Sequence, residues 1–268
     1  MPAAPRPPAS SPCEEAHCFR CGRAGRSRFE REGFHLVACP DCGQAFISPR
    51  LCAEDRQGIY GDADYFDGAV YASPAARFLQ RTWTAGRLDL IEAALGAGPR
   101  GGLFEAGCAY GTFLVEAARR GFTPAGQEVS PAAAVRAGER LGIRVHLGDI
   151  AGAPPPEGGP GYDAVVFCDV IEHVPDPAAF LNRAAALTRP GGVVALSCPY
   201  FDSWPARLLR SRWWTLKPRE HIWHFSRALL RRAVTEAGLV PLRLIRSPLR
   251  RANLARLDSV VCVARKPA

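Results

Sequence analysis

The chain has 268 residues, of which 47% are hydrophobic, with ten cysteines and a formal charge of +8. That is apolar material for one sizeable core. No run of eighteen apolar residues appears, and the Pro/Ala-rich start "MPAAPRPPASSP" has no apolar h-region, so neither a membrane span nor a secretory signal is expected. The expectation is a cytoplasmic protein in which the cysteines serve as metal ligands or buried thiols, not disulfides.

The charge is uneven. Residues 1–60 hold 8 basic and 7 acidic side chains, residues 61–202 hold 11 and 16, and residues 203–268 hold 15 and 3. The basicity therefore belongs to the C-terminal quarter, which argues against the cysteine-rich start gripping phosphates by charge.

In chain order, residues 1–12 read as a disordered leader and 13–52 as a metal module. Cys18, Cys21, Cys39 and Cys42 have the spacing C-x2-C-x17-C-x2-C, in which two tight knuckles present four thiolates to one tetrahedral zinc ion. Gly22 and Gly43 follow the pairs, where such turns need positive φ. The stretch "FEREGFHLVAC" alternates as a β-hairpin does, which predicts a zinc ribbon with a structural ion. Cys13 and His17 are spare donors read as bystanders. Residues 53–100 read as a helical connector, aromatic first and then helical in period. Its candidate core contacts are Phe78, Leu79, Trp83, Leu88, Leu90 and Ile91.

From residue 101 to 268 strands and helices alternate. Leu103–Glu105 is a short strand, "TFLVEAARRG" a helix closed by Gly121, "TPAGQEVS" a strand, and "SPAAAVRAGERLG" a helix with Ser130 as N-cap. "IRVHLGDI" is a third strand and "YDAVVFCD" a fourth, continuously apolar as in a parallel sheet. A helix from Pro177 to Leu187, a strand in "RPGGVVALSCP", a helix from Ser226, and strands near "LVPLRLIRS" and "SVVCVARK" complete the pattern. This predicts an α/β, Rossmann-like doubly wound sheet of seven strands, with ligands at the carboxyl ends of the strands.

"EAGCAYG" sets Gly107 and Gly111 between a strand and a helix, where backbone passes close to a ligand. The acids narrow the choice of nucleotide. Glu128 ends the second strand, where a carboxylate suits ribose hydroxyls. Glu105 and Asp149 end the first and third strands, where carboxylates suit a cationic amine and an adenine amino group; a pyrophosphate would gain nothing from Glu105. The ligand reads as a nucleoside carrying an amino acid.

The motifs "LFEAGCAYGTFL", "GQEVSP", "GDI", "YDAVVFCDVIEHVPDP", "LTRPGGVVALSCP" and "REHIWHFSRALLRRAVTEAGL", collinear over residues 83–265, resemble class I S-adenosylmethionine-dependent methyltransferases, in the branch similar to quinone-biosynthesis O-methyltransferases. The resemblance implies that Gly107, Cys108, Ala109 and Gly111 lie against the methionine part of S-adenosylmethionine, with Glu105 near its amino group. It implies further that Glu128 and Val129 meet the ribose, that Asp149 and Ile150 flank the adenine, and that Asp169 lines the same pocket. Ala109 stands where the family usually has glycine.

Methyl transfer needs an acceptor about 3 Å from the methyl group, and often a base for its proton. "CDVIEHV" offers Asp169, Glu172 and His173, and "KPREHIWHFS" offers Glu220, His221 and His224. His173 and His221 are the candidate bases, with Asp169 beside them, whereas His224 reads as structural. A divalent ion on such a cluster is the weaker reading. The insertion 200–220 reads as a substrate lid: it mixes Trp204, Trp213 and Trp214 with five cations and suits a phosphorylated, nucleotide-linked or lipid-linked acceptor or an anionic membrane surface; an amphipathic helix with a solvated Arg face reads equally well. The expected acceptor is a small molecule: a sugar, quinone-like or other secondary metabolite. The competing class is an RNA methyltransferase using the ribbon and the basic C-terminal region. A non-catalytic module is disfavoured because it would have no use for the strand-end acids.

Overall fold

The computed structural model describes residues 13–61, 74–143, 145–246 and 257–268. The leader and the aromatic start of the connector, residues 62–73, lie outside the described residues.

The N-terminal part is built around a hairpin. Strands β2 (Arg26–Arg31) and β3 (Phe34–Ala38) are joined by Glu32 and Gly33, with φ of 56° and 82°. Two successive positive φ values define the turn whose twist matches paired strands, and glycine at the second position relieves one of them. Strand β4 (Ala45–Ile47) pairs antiparallel with β3, while the two-residue strands β1 (Cys13–Glu14) and β5 (Arg50–Leu51) pair with each other. A fourth strand joins this sheet from far along the chain: β11 (Trp223–His224) lies antiparallel to β4.

Helix α1 (Ala53–Gly61) follows β5, and α2 (Pro74–Leu95) leads into the main domain. In α2, Thr84, Arg87, Leu88 and Ile91 are buried, spaced i, i+3, i+4, i+7 as one helical stripe. Leu79, Trp83 and Leu90 are partly buried. Phe78 was expected in the core but is 69% exposed, because it falls off that stripe.

The main sheet has seven strands: β6 (Gly102–Ala106), β7 (Thr123–Glu128), β8 (His146–Leu147), β9 (Tyr162–Cys168), β10 (Thr188–Pro199), β12 (Val240–Arg246) and β13 (Ser259–Arg265). Their order is β12-β13-β10-β9-β6-β7-β8. β13 is antiparallel to both of its neighbours, and the pairs from β8 to β10 are parallel. Strand order reverses between β6 and β9, which places a ligand crevice at their carboxyl ends. β8 is shorter than the expected third strand: Gly148 N still reaches Glu128 O at 3.0 Å, but its φ of 127° turns the chain away, and Asp149 caps a single turn, Ile150–Gly152.

Alternate residues of the strands supply two cores. Phe104, Val165, Phe167, Val194 and Leu196 face α5 (Pro177–Leu187) and α7 (Arg227–Glu236), whereas Leu103, Ala164, Val166 and Ala195 face α2 and α3 (Thr112–Arg119). With helices on both faces, the middles of the central strands β9 and β10 are apolar on both sides. Helix α4 (Pro131–Leu141) is capped by Ser130, which accepts from Ala133 N. Ser226 likewise caps α7, as the sequence predicts for both.

Substituting Leu196, 1% exposed in the central sheet, by Ala is expected to cost about 2–5 kcal/mol of unfolding free energy. Phe78→Ala is expected to stay within about 0.5 kcal/mol. Urea denaturation of both variants distinguishes the two; equal losses would contradict the placement of α2.

Candidate functional site

The glycine loop leaves β6 and enters α3 along the crevice. Gly107 has φ 69°, and a Cβ there would lie 2.7 Å from Val170 Cγ2, so both the conformation and the close approach require glycine. Ala109 adopts φ 46°, a left-handed conformation that costs a non-glycine residue about 1–2 kcal/mol. What holds it is Glu128: its Oε2 accepts from Ala109 N at 2.8 Å, and its Oε1 accepts from Val129 N at 2.8 Å and Ser130 N at 3.0 Å. Burial raises the pKa of Glu128, and these three N–H groups oppose the rise. The carboxylate at the end of the second strand thus shapes the loop from inside.

Glu105 is buried at the end of β6, and its Oε2 has no hydrogen-bond partner among the described residues. Burial pushes its pKa well above the usual carboxylate range; Arg87 opposes this, while Glu128 adds to it. Arg87 lies on the buried stripe of α2. Its Nη2 donates to Ser197 Oγ at 2.8 Å and lies 3.7 Å from Asp169 Oδ2, while its Nε is buried without a partner among the described residues. A buried acid with an open oxygen thus lies in the field of a buried guanidinium with an open N–H, and the two together could hold a zwitterion. The α-ammonium and α-carboxylate of a methionine group match the pair in sign and number.

Asp169 ends β9 with φ 57°, its N–H bonded to Ser197 O at 2.7 Å. Positive φ at a strand end is stored strain of the kind found at working sites. Asp149 Oδ1 accepts from Ala151 N at 2.8 Å, and the neighbouring Ile150 is buried. Val129, just beyond Glu128, is 47% exposed, an apolar surface on the rim of the same strand ends.

On the acceptor side the structure unites two loops distant in sequence. Ile222 N and Trp223 N both donate to Glu172 O, at 2.9 and 3.1 Å, and Trp223 Nε1 donates to Val174 O at 2.8 Å. His173 and His221 meet with ring centroids 4.6 Å apart. His173 Nδ1 lies 2.9 Å from Glu220 O and His221 Nδ1 2.7 Å from Thr215 O. A carbonyl only accepts, so both Nδ1 atoms carry the proton and both Nε2 atoms present lone pairs. One atom from each of Glu172, His173 and His221 lies within 4.8 Å of the others, an arrangement suited to sharing a proton or a cation. Burial lowers the pKa of His173 to about 4 and that of His221 well below the usual range. His224 is buried, its pKa lowered by burial to about 3, in keeping with a structural role. Beside them the insertion forms α6 (Trp204–Leu209), with Trp204, Leu208 and Trp214 exposed and Arg207, Arg210, Arg212 and Lys217 exposed among them.

The four knuckle sulfurs lie within 4.8 Å of one another, and Cys18 Sγ is 3.6 Å from Cys42 Sγ. A zinc tetrathiolate with Zn–S of about 2.3 Å has S···S of roughly 3.8 Å, so the donor set fits zinc. Gly22 N and Gly43 N return to Cys18 O and Cys39 O at 2.8 and 3.0 Å, closing both knuckles. Burial is the main cause of the Cys18 pKa rising to about 12; shared hydrogen bonding with Cys42 is the main cause for Cys21, at about 11. Four thiolates this close together repel one another, and a cation between them offsets that repulsion. His17 is exposed.

Arg87 was missed in the sequence because a lone Arg in a helix reads as solvated. Its position between Thr84 and Leu88 on the apolar stripe was the available signal.

The family described as "methyltransferase domain" matches residues 75–244. The ubiquinone biosynthesis O-methyltransferase of Alkalilimnicola ehrlichii is 31% identical over 119 residues, which are 41% of this chain and 47% of that protein. A 37.1 kDa protein in transposon TN4556 of Streptomyces fradiae is 29% identical over 188 residues, 67% of this chain and 48% of that one. The chain spans about half the length of the curated relatives it matches. Among solved structures, the 1,6-didemethyltoxoflavin-N1-methyltransferase of Burkholderia thailandensis, with S-adenosylhomocysteine bound, superposes with TM-score 0.59 at 17% identity, over 90% of this chain and 99% of that one. The magnesium protoporphyrin IX methyltransferase of Synechocystis PCC 6803, with S-adenosylmethionine bound, gives TM-score 0.56 at 14% identity, over 80% and 98%. At such identities the likeness speaks for the fold, and the matched residues 75–244 carry the family: the chain belongs to the class I S-adenosylmethionine-dependent methyltransferases.

Proposed function

We propose that this chain transfers a methyl group from S-adenosylmethionine to an oxygen of a small acceptor, either a sugar or a quinone-like ring. The observation that carries the reading is the open, buried carboxylate of Glu105 beside the open guanidinium of Arg87. S-adenosylmethionine, when bound, supplies an electrophilic methyl group on its sulfonium. Glu105 takes its ammonium and Arg87 its carboxylate, while the loop Gly107–Gly111 lies against the methionine chain. Glu128, its oxygens already turned toward the loop, offers remaining lone pairs to the ribose. Val129, Asp149 and Ile150 border the adenine, and Asp169 faces the methionine end through its contact with Arg87.

His173 and His221 line the acceptor side with neutral rings. Their Nε2 atoms are placed to receive or relay the acceptor's proton, with Glu172 to balance it. Because a base with so low a pKa holds a proton weakly, the reading favours a relay through the Glu172–His173–His221 group over a single strong base. The exposed cations of the insertion suit an acceptor bearing phosphate or another anionic group. The four knuckle cysteines hold one structural zinc ion, which takes no part in the chemistry. The ubiquinone-related and porphyrin- or toxoflavin-directed relatives act on small molecules by their names, which supports a small acceptor over RNA. Among the described residues no helix is long and apolar enough to cross a membrane.

Calorimetry with S-adenosylhomocysteine is expected to show binding that weakens about tenfold or more in Glu105→Gln, on the scale of a hydrogen bond to a charged group; an unchanged affinity would remove Glu105 from the site. Elemental analysis of protein purified without chelator is expected to give one zinc per chain, and none in Cys39→Ser. His173 is held neutral, so the unfolded chain takes up its proton first. The contribution of this ring to stability is full above about pH 6.5 and is lost as pH falls toward about 4. His173→Asn should therefore lose less stability than the parent over that window in urea titrations at stepped pH. A radiolabelled methyl-transfer screen over phenols, sugars, their phosphorylated forms and total RNA tests the acceptor class. Label appearing in RNA, with binding that falls steeply with salt, would overturn the small-molecule reading.

A further inference from the structure

Strands β3 and β4 of the ribbon are covered on both faces, whereas β2 is largely exposed. On one side of the sheet, Val37 and Phe46 pack into the core shared with Trp223 and Phe225; on the other, Phe34, Leu36 and Ile47 pack against Trp213, Leu216 and Ala206 of the insertion. Between the two lies the short segment Ile222–His224, bonded along both edges. Toward the main domain, Ile222 N and Trp223 N donate to Glu172 O, and the Trp223 indole donates to Val174 O. Toward the ribbon, Ile47 N donates to Ile222 O at 3.0 Å, and Gln44 Nε2 donates to His224 O at 3.0 Å.

The groups on the ribbon edge belong to the knuckles. Gln44 follows Gly43 directly, is wholly buried, and accepts from Cys39 N through its own carbonyl at 2.9 Å. Phe19 stands between Cys18 and Cys21 and packs edge-to-face on Trp223 with centroids 5.0 Å apart. Arg31, at the end of the hairpin strand β2, donates to Trp213 O at 2.7 Å, two residues before the Thr215 carbonyl that orients His221. A knuckle of this size does not keep its shape by burial alone; the metal supplies that free energy.

We infer that the ribbon is a positioning device for the acceptor side: metal-held knuckles set, through Phe19 and Gln44, the segment Ile222–His224 and with it the meeting of His221 and His173. The cofactor side is built on the ends of β6, β7, β8 and β9, none of which belongs to the ribbon sheet, so the two halves of the site respond separately. Gln44 and Phe19 act through other residues and are positioning residues. The inference rests on the reading that His173 and His221 line the acceptor side.

The experiment uses the full chain labelled with 15N-histidine, before and after zinc is stripped with a chelator, and the zinc-loaded Gln44→Leu variant, similar in volume but lacking the donor to His224 O. Three quantities are measured: S-adenosylhomocysteine affinity by calorimetry, the imidazole resonances of His173 and His221, and amide exchange at Ile222–His224. The expected result in both samples is an affinity within about threefold of the parent, displaced or broadened histidine resonances, and amide exchange about tenfold faster. Gln44→Leu should give this with its zinc content intact. Unmoved resonances and exchange in both samples overturn the inference. So does loss of S-adenosylhomocysteine binding in parallel with the histidine changes in Gln44→Leu, which would make the ribbon a general stability element. Failure of the parent protein to bind S-adenosylhomocysteine at all would instead overturn the cofactor reading, so the two failures are distinguishable.

Discussion

Burying a carboxylate without a full set of partners is the constraint around which the main domain is organised. Glu105 sits at the end of β6 with an oxygen open, and Glu128 and Asp169 end the strands and loops beside it. A buried charge of this kind is tolerated only where a counter-charge or donors reach it. Arg87 supplies the one, and the amides of Ala109, Val129 and Ser130 supply the other for Glu128; the left-handed backbone at Ala109 is held by its bond to Glu128, and that at Asp169 by its N–H to Ser197 O.

How much of this was legible in sequence depends on how local each cause is. The CxxC pairs, the alternating hairpin stretch, the Ser130 and Ser226 caps and the glycine loop are all decided within a few residues, so pattern alone identified them. Alternation of strand and helix announced a doubly wound sheet of seven strands, but the place of β13 between β10 and β12, antiparallel to both, rests on contacts distant in sequence. Phe78 was misplaced because its neighbourhood is mixed in period, and Arg87 because charge outweighed register in the reading of α2. The pairing of β11 with β4 was beyond reach: it joins Trp223 to Phe46, and nothing near either residue announces a partner so far away. Likewise, "EHV" and "REHIWHF" could be singled out as histidine-bearing loops, but not that their two imidazoles stand edge to face.

The cysteine module first reads as a separable unit on an enzyme. The packing changes that picture: strands from both ends of the chain complete one small sheet, and its two faces close on segments of the main domain. Zinc bound there would hold together an interface as well as a hairpin.

Strand β13, the last in the chain, lies between β10 and β12, and Asp258 immediately before it receives the indole N–H of Trp213 at 2.6 Å and the hydroxyl of Thr215. Until that strand is in place, β12 has no neighbour through which to join the sheet, and the insertion lacks its anchor. The ribbon hairpin closes through near neighbours, whereas the insertion it docks on is anchored across 45 and 43 residues. The loop-closure entropy of this corner therefore falls on the acceptor side and not on the hairpin.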